Sequence, residues 1–160
     1  MTETLNRLCA VQVEHDGTRA NRGVVIEQAA AIADLVEESY FELVDRESGP
    51  YCLVISTRGG RLTFHVSDAR GTPIVSHFMS AGPLRRAIRD YVAMCEVHYE
   101  AAANGDARRL ETLDMGRRAT HDEASQLLRE RLGSKVRIDL GTARRLFTII
   151  AAAQLEKILI

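Results

Sequence analysis

The run LVISTRGGRLTFHV, residues 53–66, constrains the fold more than any other part of the sequence. Leu53 and Ile55 alternate with Val54 and Ser56, and Gly59-Gly60 supplies a two-residue turn that tolerates positive φ. Folding back across that turn sets Ile55 opposite Phe64 and Leu53 opposite Val66, so the apolar partners share one face of a hairpin. A second turn at Asp68–Gly71 leads to a strand near Ile74–Met79, and YFELVDRESGPY, from Tyr40, adds a strand upstream. The middle of the chain is therefore expected to be an antiparallel meander with one covered face. Ahead of it, about Leu5 to Val13 suits a first strand ended at Asp16-Gly17. VVIEQAAAIADLVEE, residues 24–38, suits a helix with Val25, Ala29, Ile32 and Val36 on its buried face.

The period changes after Pro83, a residue suited to a first helical position. Leu84, Ala87, Ile88, Tyr91, Cys95, His98, Tyr99 and Ala102 share one helical face, with Arg85, Arg86, Arg89, Glu96 and Glu100 on the other. Asn104-Gly105 ends this helix and Asp106 caps the next, which runs to Leu132 before Gly133. KVRID is a short extended link or strand, and a last helix covers roughly Thr142 to Ile160. The expected class is α+β: an antiparallel β-meander packed against a C-terminal layer of three helices, with an additional N-terminal helix. A chain of 160 residues fits one domain, sheet-rich over about 1–80 and helical over about 81–160.

Bulk properties narrow the function classes. The net charge of -1 gives no global basic field, and only Arg85, Arg86 and Arg89 offer a basic stripe, which places nucleic-acid binding low. Cys9, Cys52 and Cys95 are odd in number and widely spaced, which is neither a disulfide framework nor a metal signature. The N-terminus lacks the basic-then-apolar order of a secretory signal, and LFTIIAAAQL is too short for a membrane span. A cytoplasmic protein without a membrane segment is expected.

One stretch breaks the helical pattern. In DMGRRATHDEA, residues 114–124, Arg117 and His121 fall within about 20° of the centre of an apolar stripe set by Leu110 and Leu128. They are four apart, so they are neighbours, and Asp114 lies at the stripe's edge beside them. A buried guanidinium needs a partner, because an unpaired charge there costs several kcal/mol. Asp114, Asp90 and Asp139 are the candidate acids within the chain. The favoured reading is an Arg–Asp–His network tying helices together. The alternative is a site for a small anion, a phosphate or carboxylate, made by Arg117 and His121 with Arg118, Asp114 and Arg144. Arg118, with Asp114 and Asp122 four residues to either side, also suits an exposed ion-pair ladder of little energy.

Arg144 and Arg145 open the last helix, where cations oppose the helix dipole. They are either solvated or reach an acid or anion shared with the third helix. His121 and Glu123 point about 200° apart on a helix, so no HExxH-type metal site arises, and a lone Ser125 four residues after His121 is a nonspecific pairing. No catalytic constellation, metal or cofactor is indicated. The last helix is apolar almost all round, which suits either a central core position or self-association.

The strings RRAIRDYVAMCEVHYEAA, DMGRRATHDEASQLLRERL and DLGTARRLFTII, in that order, are preceded by GPYCLVIS and GRLTFHVSD. Together, over about Gly49 to Ile150, they resemble bacterial uncharacterised protein family 0262 (UPF0262). The resemblance carries no assigned activity and so implies no catalytic residue. The expected role is a non-catalytic protein-interaction or regulatory module. Its partner would be itself, as a homodimer through the last helix, or another cytosolic protein. An enzyme or sensor for a small anionic ligand is the alternative.

Overall fold

The hairpin forms in the expected register. Strands β3 (Tyr51–Arg58) and β4 (Arg61–Asp68) pair antiparallel, with Leu53 opposite Val66 and Ile55 opposite Phe64. The computed structural model describes residues 5–15, 22–58 and 60–153. Of the turn glycines Gly59 lies outside them, as does the expected break at Asp16-Gly17, and Gly60 has a φ of 76°. The second turn is closed by Asp68, whose Oδ1 accepts from the Arg70 and Thr72 amides, both at 2.9 Å. It leads into β5 (Pro73–Ser80), antiparallel to β4.

Two strands depart from the meander. The first, β1 (Leu8–His15), pairs with β3 in parallel, so the sheet is mixed, in the order β1-β3-β4-β5. Parallel neighbours need a crossover, which here includes helix α1 (Arg22–Glu37) packed on β1. The upstream strand, β2 (Phe41–Leu43), does not join this sheet. It pairs antiparallel with β6 (Val136–Ile138), the KVRID segment, setting Phe41 opposite Ile138 and Leu43 opposite Val136. All four of those side chains are buried.

One face of the large sheet carries Tyr51, Leu53, Ile55, Leu62, Phe64 and Val66, each at most 1% exposed. Helices α2 (Arg85–Ala103), α3 (Ala107–Leu132) and α4 (Leu140–Ala153) complete the core with α1. The α2–α3 junction follows the sequence: Gly105 takes a φ of 69°, and Asp106 Oδ1 accepts from the Arg109 amide at 3.1 Å. Asp139 caps α4, its Oδ1 accepting from the Thr142 amide at 2.8 Å.

From Thr142 to Ala153, α4 is buried at every position but Arg144 and Arg145. It packs on α1, α3 and α2 and touches β1 and β3. Its apolar circumference thus has a cause inside the chain: as far as Ala153 the chain's own elements cover the surface that suggested self-association. The expected continuation over residues 154–160 lies outside the described residues.

The buried face of α1 is rotated from the expected one. Ala31 and Leu35 face inward, whereas Ala29 is exposed, Ile32 is half-buried and Val36 is 39% exposed; the Val25 side chain lies outside the described part. The Ala-rich run is apolar nearly all round, so hydrophobicity alone does not choose a face. Two polar residues with specific partners help to choose it. Gln28 Nε2 donates to the Ile149 carbonyl at 3.2 Å, and Glu27 pairs with Arg117.

Candidate functional site

Helix α3 crosses both α2 and α4, and its irregular stretch sits where α1 joins them. Arg117 is half-buried and bridges two carboxylates. Nη1 meets Glu27 Oε1 at 3.1 Å on α1, and Nη2 meets Asp114 Oδ1 at 3.1 Å one turn back. The same Asp114 oxygen lies 2.9 Å from His98 Nε2 on α2. Three helices are therefore tied through one guanidinium and one carboxylate. Burial works against the Arg117 charge. The Glu27 and Asp114 carboxylates favour it, and its pKa is raised. Of the three candidate acids, Asp114 pairs with Arg117, Asp139 serves as the α4 cap and Asp90 is exposed.

His121, one turn further along α3, belongs to a ring cluster. Its imidazole stacks on Tyr91 with centroids 5.0 Å apart and a 25° interplanar angle, and lies 5.7 Å from Phe147. Nε2 is 2.8 Å from the Arg144 carbonyl and 3.0 Å from Thr148 Oγ1. A carbonyl only accepts, so Nε2 carries the proton. Thr148 donates its own hydroxyl hydrogen to that carbonyl at 3.0 Å. His121 therefore cannot take a proton from Thr148 through Nε2. Ser125 is also committed, donating to the His121 backbone carbonyl at 2.6 Å.

Burial lowers the His121 pKa, with Arg144 and Arg117 adding to that effect, while its hydrogen bond to the Arg144 carbonyl works the other way. The ring is neutral at pH 7 in the fold and protonates more readily when unfolded. Its contribution to stability is intact above the unfolded pKa of about 6.5 and is lost as pH falls below it. His77 is lowered in the same direction, chiefly by burial. We expect the melting temperature to fall between about pH 7 and pH 5.5. His121→Phe, which keeps a ring against Tyr91, should shallow that fall without abolishing it; equal slopes for both proteins would contradict the assignment.

Beside this cluster is a cavity of about 300 Å³ between α1, α3 and α4. Its polar lining comes from Glu27 and Asp34 on α1, His121 on α3, and Arg144, Arg145 and Thr148 on α4, with Gly141 in the first turn of α4. Arg144 Nε lies 3.4 Å from Asp122 on α3, and Arg145 Nε lies 3.8 Å from Asp34. Both distances exceed the about 2.7–2.9 Å of a charge-assisted hydrogen bond, so each acid is held loosely.

Of the residues nominated from sequence, His121 and Arg144 line this cavity, and Arg117 and Asp114 stand behind its Glu27 wall. Arg118 is exposed and, among the described residues, pairs with neither Asp114 nor Asp122, which are engaged by Arg117, His98 and Arg144. Glu27, Asp34 and Thr148 carried no sequence signal, since each is brought in by packing between distant segments. No group of three or more His, Cys, Asp or Glu among the described residues is arranged to hold a metal ion. No helix among them is long and apolar enough to cross a membrane.

The family model for Uncharacterised protein family (UPF0262) matches residues 5–156. A UPF0262 protein of Rhodopseudomonas palustris (strain HaA2) is 43% identical over 147 residues, covering 91% of this chain and 90% of the relative. A UPF0262 protein of Rhizobium meliloti (strain 1021) is 42% identical over 144 residues, covering 90% and 91% respectively. One from Nitrobacter winogradskyi is 41% identical over 150 residues, covering 93% and 90%. No solved structure matches. With nearly its whole length matched by the family model and by these bacterial relatives, the chain belongs to the UPF0262 family.

Proposed function

We propose that this protein is a non-catalytic binding protein for a small anion, a carboxylate or phosphate monoanion, held in the α1–α3–α4 cavity. The observation that carries this reading is the pair Arg144 and Arg145 at the lining, each touching its carboxylate only through a long Nε contact. The outer edge of a guanidinium is a planar two-donor fork matched to carboxylate and phosphate oxygens. Gly141 places the first turn of α4 at the same wall, its N-terminal Thr142 amide already met by the Asp139 carboxylate.

Glu27 and Asp34 balance the two arginines in the lining, which suits a singly charged ligand better than a polyanion. The volume lies at the small end of ligand pockets. His121 supplies a neutral polar wall, fixed by the Arg144 carbonyl and the Tyr91 ring. Arg117 and Asp114 act indirectly by holding Glu27 in place. The non-catalytic part of the reading rests on the hydroxyls beside His121, both committed to backbone carbonyls. A regulatory protein that senses a cytoplasmic metabolite would need no more than this.

The test is a thermal-shift panel of inorganic phosphate, small mono- and dicarboxylates, amino acids and nucleotides. At about a hundredfold excess over Kd, a bound ligand adds about 2.7 kcal/mol. For a chain of this length that is a rise of about 5–10 °C. Arg144→Ala should fold and lose the shift. A panel without any shift, or a shift undiminished in Arg144→Ala, would overturn the reading.

A further inference from the structure

We propose that Cys9 and Cys52 form a thiol pair that hydrogen peroxide oxidises to an intramolecular disulfide. The two Sγ atoms are 3.8 Å apart, on the adjacent parallel strands β1 and β3. The pairing arises from an irregularity in β1. Leu8 lies opposite Tyr51 but Ala10 lies opposite Cys52, so the register shifts between them. Leu8 and Val11 are three residues apart and both buried, which regular alternation does not allow. A bulge between them reconciles the two and leaves Cys9 beside Cys52.

The position suits oxidation in three respects. Neighbouring strands lie about 4.8 Å apart, inside the about 4.4–6.8 Å Cα separation that a disulfide spans. Both thiols are free and half-buried, so a small peroxide can reach them, whereas Cys95 is buried within the helical layer beside Tyr91. The sulfurs, 3.8 Å apart, need to close to about 2.05 Å.

In the reaction, the Cys9 thiolate attacks one peroxide oxygen. The O–O bond breaks, and the departing hydroxide takes up a proton as water. Cys9 is left as a sulfenic acid. The Cys52 sulfur then attacks Cys9 Sγ, the S–O bond breaks, and the hydroxyl leaves as a second water with the Cys52 proton. Two thiols are oxidised by two electrons and one peroxide is reduced to two waters. Burial pushes the Cys52 thiol up, which disfavours it as the first nucleophile.

The product ties β1 to β3 across the whole α1–β2 crossover, so oxidation should raise the melting temperature by several degrees, reversibly with dithiothreitol. The experiment treats the full chain with hydrogen peroxide, denatures it, alkylates the remaining thiols and maps the peptides. The expected result is one linked Cys9–Cys52 peptide, a mass loss of about 2 Da before alkylation, and Cys95 recovered as the alkylated thiol. In Cys52→Ser, Cys9 should instead be trapped as a sulfenic acid by dimedone. Three alkylatable thiols after peroxide, linkage through Cys95, or sulfinic acid at Cys9 without any disulfide would each overturn the proposal.

Discussion

Replacing Phe147 with alanine should remove about 3–5 kcal/mol of folding stability, the cost of deleting a large ring from a core that cannot collapse. Phe147 is 0% exposed and meets Tyr91 edge-on at 5.5 Å and 67°. It sits on α4 among α1, α2 and α3, so a void there is walled by several elements at once. A second effect separates this variant from ordinary core loss. Phe147 is one of the two rings that shut water away from His121, and burial is the main cause of that histidine's lowered pKa. In Phe147→Ala the His121 pKa should move back toward its ordinary value. Urea denaturation gives the stability and an NMR titration of the imidazole gives the pKa. A loss under about 1 kcal/mol, or an imidazole that titrates unchanged, would show that the ring cluster is not what shields His121.

Arg117→Ala is expected to cost about 1–3 kcal/mol. A fully buried pair costs about 3–5 kcal/mol to break, and the smaller figure reflects water at both carboxylates. Glu27 is 38% exposed and Asp114 41%, against 21% for Arg117. The loss comes mainly from leaving two carboxylates gathered without their cation. Adding Glu27→Gln to Arg117→Ala should therefore recover part of it, giving a non-zero coupling energy in a double-mutant cycle. Additive effects would mean that the Glu27 contact contributes nothing. Because Arg117 stands behind the cavity wall rather than in it, the variant should weaken ligand binding less than Arg144→Ala does.

Local chemistry made much of this fold legible. Gly60, the alternation of β3 and β4, the Asp106 cap and the α3 boundaries all rest on residues a few positions apart, and each lies where the sequence places it. The helical stripe also placed Arg117 and His121 on the inward side of α3, where both are half-buried. Long-range pairings were a different matter. The parallel partner of β1 is chosen by a crossover, and β2–β6 joins two three-residue strands from opposite ends of the chain. Neither has a local signature. Glu27 was missed for the same reason: it lies 90 residues from Arg117, on a helix too uniformly apolar for periodicity to orient. The fate of α4 needed the structure too, since a helix apolar on all sides is equally suited to a core or to a partner.

The most direct test of the anion site is a two-dimensional ¹⁵N NMR titration of the wild-type protein and Arg144→Glu. The titrants are the panel ligands that shift the melting temperature. The proposal predicts saturable shifts confined to the Gly141–Arg145 turn, His121, Thr148 and the inner side of α1. The charge-reversed variant should show none of them. Shifts that never saturate, that fall on the sheet instead, or that persist in Arg144→Glu would contradict it.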